Sequence, residues 1–579
     1  MLYRGLLCVT LVLSGVGCSS AGHPPAAGAD SGGAGGSGGG AAPVPEGAAG
    51  SGGAAMGAAG ATGGFDAAAG SGVDAPAGTG PSGMGMGGPV GPTGKYDWLQ
   101  FCFSPDKMCN LDFGKYETAV SPANVARLTQ LFQVPIPDAP DGSPVALSNV
   151  TTPMGVKDLV FVVGQHGLLT AFDGLTGMAV WHIEFTATGY SNSAPAIDPD
   201  RQFIYVNAAD GMIHKVQVGD GTEVKGGGWP VANGGGKPSG QLTIGTDKAG
   251  VSYLYAQNNG HGHTTTINLA TGATHIFNLA CSNVPDMNNP PGCDTGANPW
   301  ARSSTFIPDL QKLFVGTGTN DGSGQWVAGK IWRTSWVALP PDGHTTMMAG
   351  GGYPLDSYTP ADWSAVVRGD HDTSVGGLIP LPAGYSKKFP YLAVQPGKDG
   401  NVRLINLADM SGQGGPGHTG GELGTISLGL GLLRSWGAVW INPAGANRAA
   451  WVFIGGAKGL GTVSVDLDPA GAPTLALQWS KPNGWTTAPF IANGILYATN
   501  NAGESTVRNT PHLIQALDPA TGNQLWSGMV GEHHWSSPIM VNGILYMADG
   551  NSGGCDVANG NPACTPAGNT GHFYAWSLK

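Results

Sequence analysis

The chain has 579 residues, 99 of them glycine and 11% charged, with 26 Lys plus Arg against 38 Asp plus Glu for a net charge of -12. Glycine is near 17% of the chain against a usual ~7%, and the acidic balance excludes the basic surface that a phosphate backbone requires, so nucleic acid is not an expected partner. After residue 18 no apolar run reaches the ~20 residues of a membrane-crossing helix, and the wealth of Gly, Pro, Thr and Val over Glu, Lys, Leu and Arg predicts a β-rich, soluble globular part.

Residues 1–18, MLYRGLLCVTLVLSGVGC, place one basic residue, Arg4, before a short apolar run and then small residues, which is the pattern of a cleaved export signal. The segment resembles a bacterial lipoprotein signal, and the resemblance implies that Cys18 is cut free, acylated and left as the anchored N-terminus, with Gly15 standing where Leu is usual. The expected location is the bacterial outer membrane through that lipid, on its periplasmic or its outer face. Plain secretion with Cys18 removed is the alternative. Residues 19–95 follow as a linker, and 27 of the glycines fall in 21–94. A segment of Gly, Ala, Ser and Pro buries too little apolar surface to offset chain entropy, so it is expected to be a disordered tether with a reach of roughly 45–50 Å. Gly83, Gly85 and Gly88 form GxGxxG there, but without the flanking strand and helix that give the pattern meaning.

The third expected segment, 96–579, is one β-domain. Its six cysteines allow 15 pairings, and sequence-local bridges in an oxidising compartment are the economical choice: Cys102 with Cys109, Cys281 with Cys293, and Cys555 with Cys564. No CxxCH is present for an attached haem, and no paired CxxC for structural zinc.

Internal repeats decide the fold. LTAFDGLTGMAVW at 169–181 and IQALDPATGNQLW at 514–526 share a strand, an Asp-x-x-Thr-Gly turn and a strand carrying Trp. SAPAIDPDRQFIYVNAADGMI at 193–213, TTAPFIANGILYATNN at 486–501 and SSPIMVNGILYMADG at 536–550 share Ser/Thr before Pro, a short strand, a turn and a second strand. Weaker copies lie around Leu254–Phe277, Lys312–Leu339, Tyr391–Leu407 and Trp451–Leu467. A four-stranded antiparallel sheet buries both faces only against similar neighbours, so a ring of such sheets is the closed solution. The expected fold is all-β, a β-propeller of about eight four-stranded blades, seven being the nearest alternative. HFYAWSLK at 572–579 is expected to close the ring against an N-terminal strand.

These units resemble the PQQ-type repeats of bacterial quinoprotein propellers, from SPANVARL at 121–128 onward. The same repeat serves PQQ-dependent alcohol dehydrogenases and non-catalytic propellers such as an outer-membrane assembly lipoprotein. The resemblance implies a site in chain order. Trp300 is the floor under the quinone; Asn320, in KLFVGTGTN, is a Ca²⁺ ligand displaced by one extra residue, Thr319; Asp370 or Asp372, in SYTPADWSAVVRGDHD, is the base; and Lys398, in PGKDGNVRLIN, contacts the quinone oxygens. PQQ and Ca²⁺ are the implied cofactors, without haem, and a small alcohol or sugar is the implied substrate. Two features depart from that family. Val162 and Val163 occupy the region where the dehydrogenases carry a calcium-binding Glu, and their adjacent-cysteine disulfide is absent. A scaffold that binds a protein partner is therefore the second expected reading. Two histidine pairs, His261/His263 and His533/His534, lack a recognisable third metal ligand.

Overall fold

The computed structural model describes residues 94–579 except 186–190, 235–237, 239, 259–261, 281–302, 320–324, 350–352, 413–417, 445–448, 483, 501–510 and 551–569. Eight four-stranded antiparallel sheets follow one another as the blades of a propeller. They occupy 145–184 (blade 1), 196–232 (2), 243–278 (3), 305–358 (4), 379–427 (5), 437–482 (6), 490–530 (7) and 539–578 (8). Blade 8 takes its fourth strand from the other end of the chain, where Leu128–Ile136 pairs antiparallel with Gly571–Leu578 from Leu128↔Leu578 to Ile136↔Gly571. The ring thus closes by a ladder between its first and last strands, with a register shift between Gln130 and Phe132. Each weaker sequence copy falls on the strands of one blade, 3, 4, 5 or 6.

The repeated Asp-x-x-Thr-Gly is the turn between the third and fourth strands. Asp518 accepts from the N–H groups of Ala520 at 2.8 Å and Thr521 at 3.0 Å, while Gly522 N–H closes on Asp518 O at 2.8 Å. An Asp side chain mimicking a backbone turn, followed by a glycine with φ of +70°, is what that sequence dictates. The tryptophans after such turns join blades. Trp181, Trp479 and Trp526 each donate Nε1–H to a carbonyl of the following blade, at 3.0 Å to Val218, 3.1 Å to Pro519 and 2.9 Å to Leu128.

First strands of neighbouring blades pack on one another, so they line the axis. Their inner edges carry N–H and C=O groups that no ladder satisfies, and buried backbone groups must find partners. Residues 96–111 supply them. This hub segment exchanges bonds with Ala146 of blade 1 through Trp98, gives Leu99 O to Ile197 N–H of blade 2, and Pro105 O to Phe306 N–H of blade 4. Gln100 pairs its amide with both backbone groups of Ile244 in blade 3. Met108 O receives Val439 N–H of blade 6, Cys109 and Leu111 bracket Ile491 of blade 7, and Tyr96 Oη–H reaches Met540 O of blade 8 at 3.1 Å. The hub is held shut by a disulfide between Cys102 and Cys109, as its sequence spacing suggests, and both cysteines are buried. Lys107 has no exposed surface and donates to Gln100 Oε1 at 3.0 Å and Phe101 O at 2.9 Å. The axis at this level is a packed aromatic core, with Phe101 edge-on to Trp436 and Trp98 edge-on to Phe490. Cys281, Cys293, Cys555 and Cys564 lie outside the described residues.

Candidate functional site

In a four-stranded antiparallel blade, the loop between the second and third strands and the connection to the next blade leave from the same end. Residues in those two kinds of loop can therefore meet, and three of them do. Lys312–Gly316, second strand of blade 4, runs out into Thr317 and Thr319. The connection from blade 4 to blade 5 makes a short helix, Trp363–Arg368, that ends in Gly369 and then Asp370, whose φ of +51° swings the chain back toward Asp372. Leu392–Pro396, second strand of blade 5, turns through Lys398, whose N–H bonds Asp372 O at 2.9 Å.

The side chains form one cluster. Lys398 Nζ lies 2.8 Å from Asp370 Oδ2 and 3.0 Å from Asp372 Oδ2. Thr319 donates its N–H to Asp372 Oδ1 at 2.5 Å, and its hydroxyl stands 2.8 Å from Asp370 Oδ1 and 2.9 Å from Asp372 Oδ1. Arg333, fully buried, donates Nη1–H to Thr319 O at 2.5 Å and so fixes the loop that holds both carboxylates. Side-chain exposure divides the roles, at 54% for Asp370 against 3% for Asp372 and 13% for Lys398. Partial burial would raise the Asp370 carboxyl, but hydrogen bonds from Lys398 and Thr319 and the charges of Lys398 and His371 outweigh it and hold the group below its ordinary value. Asp370 is an accessible, ionised carboxylate beside a fixed cation.

The structure brings Asp370, Asp372 and Lys398 together. Trp300 and Asn320 lie outside the described residues. Thr319, which the sequence offered only as an extra residue, touches both carboxylates, and Arg333 carried no sequence signal. A second polar group occupies the same end of the ring. Trp485, in the connection from blade 6 to blade 7, packs edge-on to Trp535 in the next connection at 4.6 Å between centroids. Asp141 accepts from Trp535 N–H at 3.0 Å and bonds His534 Nδ1 at 3.1 Å. Position of Trp485 just before the repeated Thr-Ala-Pro was the available signal. His533 is buried, and His263 is buried within a blade 3 strand. His261 lies outside the described residues.

Calcium finds no full donor set among the described residues, its implied ligand Asn320 lying outside them. No group of three or more His, Cys, Asp or Glu able to hold a metal occurs among them, Lys398 already binds one oxygen of each carboxylate, and Val162 and Val163 are buried strand residues. A hard cation wants six or more oxygens. A quinone fits the donor chemistry better: an ammonium has three N–H groups, and Lys398 spends two of them on Asp370 and Asp372.

Residues 132–275 match the family model described as outer membrane protein assembly factor BamB, of the PQQ-repeat type. No curated protein matches the chain by sequence. Among solved structures, a quinohemoprotein alcohol dehydrogenase of Pseudomonas putida HK5 is similar over 83% of this chain and 80% of that one, with 13% identity and a TM-score of 0.54. A europium-containing methanol dehydrogenase is similar over 83% and 98%, with 12% identity and a TM-score of 0.55. BamB from Moraxella catarrhalis aligns over 78% and 98% at 11% identity, with a TM-score of 0.44. At identities this low, the two likenesses with TM-scores of 0.54 and 0.55 speak for the fold alone.

Proposed function

The chain is a PQQ-repeat β-propeller of eight blades, and we propose that it is an oxidoreductase of the quinoprotein kind, acting on an alcohol or a sugar hydroxyl. The observation that carries the reading is the cluster of Asp370, Asp372 and Lys398, drawn from three loops at one end of the ring. A chain that only needed its blades to stack has no use for a half-exposed carboxylate held beside a buried one by a shared ammonium.

In this reading Asp370 accepts the hydroxyl proton of the substrate, since it is the exposed member of the pair and is ionised at neutral pH. Asp372, buried and triply bonded, keeps Lys398 in place. Lys398 directs its third N–H to the acceptor's oxygen, where negative charge develops. PQQ, when bound, supplies a two-electron acceptor for the hydride. Calcium has no role that the described residues support.

Incubation of the purified chain with PQQ, gel filtration, and a dye-reduction assay over short alcohols and aldoses tests the proposal. Retained quinone absorbance with turnover that Lys398→Met sharply reduces is the expected result; absence of both retention and turnover sinks it. The match of residues 132–275 to an assembly-factor model favours a second reading, a non-catalytic scaffold binding a protein partner. Stoichiometric PQQ retention counts against that one. Export and lipid anchoring through Cys18 belong to the proposal in either case, and loss of palmitate labelling in Cys18→Ala is the check.

A further inference from the structure

A hydroxyl owns one proton, yet Thr319 Oγ1 is within hydrogen-bond distance of two carboxylate oxygens, Asp370 Oδ1 at 2.8 Å and Asp372 Oδ1 at 2.9 Å. With both carboxyls ionised, it donates to one and meets the other lone pair to lone pair. Asp372 Oδ1 has a further donor in the Thr319 N–H, while both Oδ2 atoms share Lys398. One added proton on Asp370 Oδ1 completes the set. The new Asp370 O–H then donates to Thr319 Oγ1, which turns its own proton to Asp372, and every oxygen is served.

We propose that Thr319 is a positioning residue that readies the acid pair to take up a proton, its hydroxyl turning from Asp370 to Asp372 as Asp370 becomes protonated. This deepens the reading of Asp370 as the base and rests on it. The step balances: the substrate O–H bond breaks, its proton goes to Asp370, the Thr319 O–H rotates without being consumed, and release of the proton to water turns it back. The exposure of Asp370 provides that route to solvent. Among the described residues, the charged groups about the pair are Lys398 from blade 5, Arg333 through Thr319 O from blade 4, and His371 between the two carboxylates in the chain.

The sign of one shift decides the matter. A hydroxyl fixed on Asp370 would only stabilise the carboxylate, so its removal would move protonation to higher pH. That is the sense in which the Thr319 bond holds Asp370 down while both carboxyls are ionised; a hydroxyl that can turn gains a second bond in the protonated pair, which outweighs that effect, so its removal moves protonation to lower pH. Carboxyl-stretch infrared titration of the cofactor-free full chain is expected to show the midpoint of the pair about one pH unit lower in Thr319→Val, the worth of one hydrogen bond, and restored in Thr319→Ser. In the PQQ-loaded chain the same variant is expected to lose about tenfold in kcat with KM unchanged. Circular dichroism checks the fold, and Thr319→Ala serves if the valine chain does not fold. An infrared midpoint that stays or rises overturns the role of Thr319. A lowered midpoint in a chain whose wild type never turns over overturns the oxidoreductase reading and leaves the switch standing.

Discussion

Trp479 of blade 6 rests on Gly522 of blade 7. A Cβ at Gly522 would stand 3.1 Å from the indole, and the same turn supplies Pro519 O to the indole N–H. Trp181 stands on Gly221 in the same way, 2.6 Å from where a Cβ would be. At these two seams the turn glycine and the Trp are therefore two halves of one joint, the turn of one blade being the socket for the ring from the blade before. Gly522→Ala is expected to destabilise the chain by about 1–3 kcal/mol, from the positive φ and the displaced ring together. Gly250→Ala, at φ of +82° with nothing within 4 Å, should cost about 1 kcal/mol. Urea unfolding of the two variants separates the terms.

Lys398→Met is expected to raise the Asp370 carboxyl, because the hydrogen bond and charge that hold it down depart together. A base works ionised, so rate falls as pH drops through its pKa. The wild-type acid limb of kcat/KM should lie below the ordinary carboxylate range, and residual activity of the variant should fall away at higher pH.

The hub disulfide is buried on both sides, so dithiothreitol should leave it intact in the native chain and reduce it on unfolding. Cys102→Ala with Cys109→Ala frees a loop whose ends are 7 residues apart, and chain-entropy reasoning expects a loss of about 2–3 kcal/mol. Denaturant titration with and without reductant reads this directly.

His533 is the clearest source of acid sensitivity. Burial, and to a lesser degree the neighbouring His512 and His534, outweighs the bond to Gly531 O and lowers its pKa to about 4. The unfolded chain protonates this ring near pH 6.5, so stability is fully present above that value and is lost as pH falls toward 4, by up to about 3 kcal/mol. His533→Gln should flatten the melting temperature between pH 7 and 4 while lowering it at pH 7.

The repeats made the blades legible because each carries its own strands, turn and tryptophan in local sequence. Ring closure was legible in HFYAWSLK, whose alternation asks for a partner strand. The hub was not, since successive parts of 96–111 answer to different blades and no period results. Only the density of Tyr96, Trp98, Phe101 and Phe103 hinted at burial. At the site, the chain order of a known family pointed to Asp370, Asp372 and Lys398, whereas Thr319 acquires meaning only from three loops meeting.

The hub also sets an order of events. Tyr96 bonds the blade 8 residues Met540 and Asn542, 444 and 446 residues downstream, so the earliest residues of the domain to emerge are among the last able to settle. During synthesis in N-to-C order, Trp98 must wait for Phe490 of blade 7 and Tyr96 for blade 8. The domain matures at its centre last, and a chaperone that shelters its opening residues would shorten the interval in which they can aggregate.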